Sequence, residues 1–352
     1  MLQNVVFMGT PDFAVGTLNA LIVSDKYRVQ AVFSQPDKPK GRKKELQMTP
    51  VKAAAAAAGI PVYQPVKIRE PQWLDVLKEM RPDAIVVVAF GQIIPQTILD
   101  LPEYGCINVH ASLLPKYRGA APIQWAVIDG EKESGVTTMR MDAGLDTGDM
   151  ILKEVVPLAE DETGGSLFDK LSQVGAQLLI RTLDALDKGT AQFEKQPEMS
   201  PTTYASMLTK EDGRIDWQRS AHEIECRIRG VDPWPGAWTG FRGKTLKVWK
   251  AKVPGSETGG EETARAGSAA AQTGLTAATE TTEPAEAKTA EQTEMTAPGT
   301  VCAVTKSSLY VQTGHGVLSI LELQPEGKKR MEIGAFLRGY PVKPGEKLET
   351  VV

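Results

Sequence analysis

The segment Asn108-Val109-His110-Ala111-Ser112-Leu113-Leu114-Pro115, followed 36 positions after the histidine by Leu145-Asp146-Thr147-Gly148, offers an amide, an imidazole and a carboxylate to one site. Asn108 and His110 are two residues apart, so in a strand over residues 107–110 both side chains leave the same face. Asp146 must come from another element. A neutral hydrogen-bond donor, a base and an orienting carboxylate, with no cysteine or serine nucleophile, suit direct attack of an amine on an acyl carbon. The bland alternative makes Asn108 a turn cap and His110 a satisfied core histidine. Residues 112–122, Ser-Leu-Leu-Pro-Lys-Tyr-Arg-Gly-Ala-Ala-Pro, argue against it. They are too rich in proline and glycine for a regular core element and too apolar for a solvated linker, which is the composition of a formed loop lining a pocket.

The elements that must position these groups are legible around them. Residues 5–8 read as a buried strand and 13–22 as the helix after it; 29–34 form a second strand, 51–58 a helix, 61–64 an extended piece and 73–80 another helix. Ala84-Ile85-Val86-Val87-Val88-Ala89 is the clearest central strand, with its continuous β-branched run. This alternation predicts an α/β fold, a Rossmann-like doubly wound sheet that is open, twisted and largely parallel, with its ligand beyond the carboxyl ends of the strands. Phe90-Gly91-Gln92, directly after the central strand, is then a pocket wall. Gly9-Thr10-Pro11 lacks the second and third glycines of a dinucleotide fingerprint and no Walker lysine follows, so a nucleotide cofactor is disfavoured. The helix start there can still meet an anion or a carbonyl.

Residues 167–187 form a long amphipathic helix closing a first domain, expected over 1–188, and residues 189–203 read as a linker. Beyond it, 221–229 look helical, 237–249 alternate like a hairpin, and 299–304, 308–312 and 317–323 are short strands with glycine turns. A small β-barrel domain over 204–352 is expected. Residues 256–298, mainly Ala, Thr, Glu and Gly with no aromatic, have no means of burying a core; they read as a disordered insertion that interrupts the barrel over 254–299.

Bulk properties agree with two soluble domains: 352 residues exceed one hydrophobic core, and 41% hydrophobic with 24% charged residues is a globular balance. No run approaches a membrane span and the start passes directly into a strand, so neither a membrane anchor nor a signal peptide is expected. Cys106, Cys226 and Cys302 are odd in number and far apart, which points to a reduced cytoplasm and offers no zinc or other metal site. The net charge of −4 hides an asymmetry, because residues 254–299 carry −6 while residues 201–253 and 300–352 together carry +6. A basic second domain is compatible with a polyanionic partner.

Residues 108–123, Gly135-Val136-Thr137-Thr138-Met139 and Gly144-Leu145-Asp146-Thr147-Gly148-Asp149-Met150 resemble the folate-dependent formyltransferases, most closely their methionyl-tRNA branch. Phe7-Met8-Gly9-Thr10-Pro11-Asp12-Phe13-Ala14, Arg214-Ile215-Asp216-Trp217 and Asp232-Pro233-Trp234-Pro235 extend the likeness over nearly the whole chain. The resemblance implies 10-formyltetrahydrofolate as donor, the α-amino group of methionine on initiator tRNA as acceptor, an OB-like barrel for the second domain, and Asn108, His110 and Asp146 as the catalytic set. It implies main-chain contacts to the folate from Phe90, Gly91, Gln92, Ile93 and Ile94 and from Met141, Asp142, Ala143 and Gly144, with Ser112, Leu113, Leu114 and Pro115 shaping the wall beyond His110. Asp142 and Asp149 flank Asp146, and the Leu-Asp-Thr-Gly turn selects Asp146. His222 and His315 have no partnered motif and are expected on the surface or in packing.

Lys38-Pro39-Lys40-Gly41-Arg42-Lys43-Lys44 holds five basic residues in seven. By itself it is a solvated loop. The resemblance makes it an insertion gripping the tRNA acceptor end through Lys38, Lys40, Arg42, Lys43 and Lys44, with Arg42 the key member at a phosphate or a base. A monomer is expected. The rival expectations are a formyltransferase acting on a small amine, a hydrolase that removes formyl from the same folate, and a non-catalytic RNA-binding module on the same scaffold.

Overall fold

The computed structural model describes residues 1–40, 45–255 and 297–349. The chain divides into two compact units, Met1–Gly213 with Cys226–Ala237, and Arg214–Glu225 with Trp238–Val352.

The first unit runs β1 (Asn4–Gly9), α1 (Asp12–Ile22), β2 (Arg28–Phe33), β3 (Lys38–Lys40), β4 (Glu45–Gln47), α2 (Pro50–Ala57), β5 (Val62–Tyr63), α3 (Pro71–Met80), β6 (Ala84–Val88), α4 (Gln96–Leu99), β7 (Cys106–His110), α5 (Pro122–Ile128), β8 (Glu133–Arg140), β9 (Asp149–Pro157) and α6 (Gly164–Asp187). Seven strands form one sheet in the order β5-β2-β1-β6-β7-β8-β9. The five from β5 to β7 are parallel, whereas β8 runs antiparallel to β7 and β9 antiparallel to β8. β6 is buried along its whole length, which is why it reads as an unbroken Ala-Ile-Val-Val-Val run rather than an alternation. Local chemistry sets the helix starts: Pro50 follows the N-cap Thr49, whose hydroxyl accepts from the Lys52 amide at 3.2 Å, and Thr163 and Ser166 form a capping box on α6.

Successive residues of β7 face two different cores. Ile107 and Val109 pack with Val86, Val136 and the α6 leucines Leu171, Leu178 and Leu179. Cys106 packs with Ile85, Val87, Phe90 and Ile98 on the other side of the sheet. Asn108 and His110 share the Cys106 face by alternation, so they lie beyond the end of that second core, at the carboxyl edge of β7.

Residues 189–203, expected as a linker, belong to the first unit and are bonded to it. Glu194 and Met150 exchange backbone hydrogen bonds of 2.9 Å in each direction, and Ala205 bridges the 118–121 loop. The β3–β4 hairpin, the two antiparallel strands β8 and β9, and α5 were not legible as elements. β3 and β4 are three residues each, and proline at Pro39 hides their pairing.

The second unit holds β10 (Ala237–Phe241), β11 (Lys244–Lys252), β12 (Val301–Val304), β13 (Leu309–Gln312), β14 (Val317–Pro325), β15 (Met331–Glu332) and α8 (Ile333–Gly339); α7 (Ala221–Gly230) lies across the division of the chain. Its sheet has the order β10-β11-β14-β13-β12, with β15 on β14. Closure comes from the C-terminal stretch: Gly240 exchanges backbone bonds with Glu349, both 2.8 Å, while the Leu348 amide donates to Gly299 at 2.7 Å and Lys347 bridges Thr300. Both edges of the sheet are thereby paired, and the expected small barrel is formed. The expectation for residues 256–298 lies outside the described residues apart from the two at its end. The strands on either side, β11 and β12, are in place.

Candidate active site

β7 carries Asn108 and His110 to the carboxyl edge, in register with Val87 of β6 on one side and with Met139 and Thr137 of β8 on the other. Both side chains are buried, at 8% and 6% exposure. Asp146 arrives from the turn between β8 and β9, where it adopts a left-handed backbone with φ 56°. Its two carboxylate oxygens are shared. One lies 3.5 Å from Asn108 Nδ2, and the other accepts the Gly119 amide at 2.9 Å and stands 3.9 Å from His110 Nδ1. The last separation is too long for a hydrogen bond and close enough for strong attraction to an imidazolium.

The imidazole is held from its other nitrogen. Nε2 lies 3.0 Å from the Tyr117 carbonyl oxygen. A carbonyl only accepts, so Nε2 carries the hydrogen and, in the neutral ring, Nδ1 is the basic nitrogen on the Asp146 side. The Tyr117 carbonyl was invisible in sequence because it is a backbone group on a residue with left-handed φ 56°. Tyr117 itself is tied down: its amide donates to Thr202 Oγ1 at 2.7 Å and its hydroxyl to Asp129 and Glu131, both at 3.0 Å. Burial, reinforced by those two carboxylates, pushes the phenol pKa well up, so it stays protonated and donating.

The neighbours of Asp146 are otherwise employed. Asp142 accepts from the Gly144 amide at 3.0 Å and from Thr147 Oγ1 at 2.8 Å, closing the turn, and Asp149 is paired with Arg140 at 3.6 Å. At Gly148 a Cβ would lie 1.9 Å from the Arg140 carbonyl oxygen, so the turn closes only around glycine. His222 and His315 are exposed in the second unit.

The loop after β6 is braced from below. Thr10 Oγ1 donates to the Phe90 carbonyl at 2.9 Å and Gln35 Nε2 to the Gly91 carbonyl at 3.0 Å. Gln92 turns inward, accepting the Ile68 amide at 2.7 Å and donating to Pro65 at 2.9 Å, so its side chain shapes the loop and both its polar atoms are already engaged. Phe90 and Ile94 are buried while Ile93 is exposed. Ala143 and Gly144 are exposed on the 142–147 turn, and Met141 packs against the second core. Ser112 is fully buried with its hydroxyl donating to the Lys116 carbonyl at 2.6 Å, and the Leu114 amide donates to Thr137 Oγ1 at 3.0 Å. A cavity of about 300 Å³ does open against Leu113, Pro115, Lys116 and Tyr117, but none of Asn108, His110 and Asp146 lines it.

Two family models match this chain, formyl transferase over residues 3–183 and formyl transferase C-terminal domain over residues 207–341. The chain belongs to the formyl transferase family. Among the relatives of this formyl transferase, the methionyl-tRNA formyltransferase of Agathobacter rectalis is 52% identical over 97% of this chain and 98% of its own, and that of Lachnospira eligens is 50% identical over 98% and 99%. The fold is shared with a solved N-formyltransferase from Helicobacter canadensis in complex with folinic acid and dTDP-3-aminofucose, at a TM-score of 0.60 and 17% identity over 92% of this chain and all of that one. It is also shared with WlaRD, a sugar 3N-formyl transferase, at a TM-score of 0.59 and 17% identity over 94% and 99%.

Of the basic run on this formyl transferase, Lys38 is exposed on β3 and Lys40 ends that strand; Arg42, Lys43 and Lys44 lie outside the described residues. The hairpin is anchored at its root, where Lys52 pairs with Asp37 at 2.6 Å and the Gln64 amide donates to Asp37 at 2.7 Å. The Lys52 ammonium, aided by Gln64, holds the Asp37 carboxyl below the usual carboxylate range.

Proposed function

We propose that this chain transfers the formyl group of 10-formyltetrahydrofolate to the α-amino group of methionyl initiator tRNA, as a monomer in the cytoplasm. The convergence of Asn108, His110 and Asp146 at the carboxyl edge of the sheet carries the chemistry, and the near-full-length likeness to methionyl-tRNA formyltransferases supports the acceptor. The folate supplies the activated formyl carbon and takes back a proton on its leaving nitrogen.

His110 Nδ1 accepts a proton from the attacking amine, because Nε2 is already bonded to Tyr117. Asp146, 3.9 Å away, stabilises the resulting imidazolium by its charge. Asn108 has two N–H groups, and only one points at Asp146, over a long 3.5 Å. The other is the donor for the oxyanion that forms as the new C–N bond closes. Return of the proton from His110 to the folate nitrogen then accompanies cleavage of the old C–N bond. The loops 90–94 and 141–144 hold the folate through backbone groups, with 112–115 as the wall beyond His110. Lys38, Lys40, Arg42, Lys43 and Lys44 grip the acceptor end, and their contribution falls as salt rises.

A formyl-transfer assay with charged initiator tRNA, glycinamide ribonucleotide and an amino sugar nucleotide in parallel tests this. Product on the charged tRNA alone is expected. Faster transfer to either small amine would overturn the assignment of the acceptor.

A further inference from the structure

Asp146 sits on a strained, left-handed backbone in a turn whose neighbouring residues are mostly exposed. Something must fix it relative to His110, since a misplacement of about 1 Å at such a centre costs roughly 100-fold in rate. The Gly119 amide fixes one carboxylate oxygen at 2.9 Å. The main chain is fixed by a residue from a different part of the chain: Gln196 Nε2 donates to the carbonyl oxygens of Asp146 at 2.9 Å and Gly148 at 2.8 Å, one on each side of Thr147. The other end of that amide, Oε1, accepts Arg118 Nε at 3.0 Å. Arg118 is buried at 7% exposure, and its terminal nitrogens donate to the carbonyls of Glu198 at 3.1 Å and Pro197 at 2.7 Å. Arg118 directly precedes Gly119 in the chain, so the two holders of Asp146 are joined through one side chain.

We propose that Gln196 and Arg118 are positioning residues for the reaction: together they set the distance of the Asp146 carboxylate from His110 through the main chain of the 146–148 turn. This rests on the reading of Asp146 as the carboxylate that serves His110. A glutamine is suited to the place because one planar amide offers two donors to two carbonyls and an acceptor to a guanidinium at the same time. Asparagine is a methylene shorter. Glutamate keeps the length and the acceptor for Arg118 but has no N–H for either carbonyl. The segment 194–205 thus serves the catalytic turn, and its Glu194–Met150 bridge holds Gln196 in reach.

The glutamate variant makes the test decisive. In Gln196→Glu and Gln196→Ala, kcat is expected to fall 10- to 100-fold, with KM for both substrates within about threefold of the original. A clasp that merely ties the segment to Arg118 would survive Gln196→Glu, so a near-normal kcat in that variant, folded as judged by its melting temperature, overturns the proposal. Single-turnover rates of Asp146→Ala with and without Gln196→Glu complete the cycle. Rates of the two within about twofold are expected, because the glutamine acts through the aspartate. A full further loss in the double variant places the effect elsewhere and overturns the positioning role. A normal rate in Asp146→Ala alone would instead bring down the underlying reading of Asp146.

Discussion

Around Asp146 the polar atoms are bonded to one another from three parts of the chain, whereas the β3–β4 hairpin on the same unit is tied down at its root and exposed at Lys38, Pro39 and residues 45–48. In the first region, residues 108–119, 142–148 and 194–205 share a continuous set of bonds through Gln196, Arg118, Tyr117 and Gly119. In the second, Asp37, Lys52 and Gln64 clasp the base, while Lys38, Leu46 and Met48 are exposed. The difference fits the two tasks proposed for them. A donor aimed at a developing oxyanion works only if it is already in place. Charges that meet a polyanion gain from exposure and from counterion release, and need less precise geometry.

Substitutions in the two regions should therefore separate rate from affinity. The largest effect is expected at the centre itself: Asn108→Ala and His110→Ala should each lower the single-turnover rate by about 100-fold or more, as for loss of one oxyanion donor or a general base, while acceptor binding stays within about twofold. Near-normal rates in both would erase the contrast.

Next comes the turn. Gly148→Ala brings a methyl to 1.9 Å from the Arg140 carbonyl oxygen, so the turn must open and carry Asp146 with it. A lower melting temperature and a drop in kcat of about tenfold or more are expected together, and an unchanged kcat in the folded variant would show that the turn tolerates displacement.

The hairpin should behave in the opposite way. Lys52→Ala removes the anchor of Asp37 and is expected to raise the acceptor KM severalfold with kcat preserved. Its pH dependence has a defined sign. The Asp37 carboxyl is depressed in the folded state, so the pair's contribution is complete above the ordinary carboxylate pKa of ~3.9 and is lost as pH falls through the lower folded value. An NMR titration of Asp37 should place its midpoint below ~3.9, and closer to it in Lys52→Ala.

The smallest effect is expected from replacing residues 256–298 by a short Gly-Ser turn. Lengthening a closed loop costs only about 0.6 kcal/mol per doubling, so stability and formyl transfer should be retained. Loss of transfer in a folded variant would give the segment a direct role.

Apart from the β3–β4 hairpin and the one-turn α4, the alternation of strand and helix up to β7 was legible because β-branched runs and helical periods are local properties, and β6 is an unbroken buried run. The antiparallel pair β8 and β9 was not, since its residues read as family motifs before they read as strands and direction is a property of pairing. Residues 189–203 read as a linker because they have few apolar positions; their attachment runs through side-chain amides and backbone carbonyls, which leave no hydrophobic pattern.

What the chain determined by itself is the set of groups: Asn108 and His110 on one face of one strand and a run of basic residues at 38–44, fixed by spacing and residue type, and Asp146, singled out from Asp142 and Asp149 by the resemblance of its glycine turn. Only the tertiary structure decided which imidazole nitrogen carries the hydrogen and which is left open. That depends on the Tyr117 carbonyl lying 3.0 Å from Nε2 and on the carboxylate standing 3.9 Å from Nδ1. Backbone carbonyls and amides are the same in every residue, so no sequence pattern marks the ones that fold against a side chain; their position exists only once distant segments have packed.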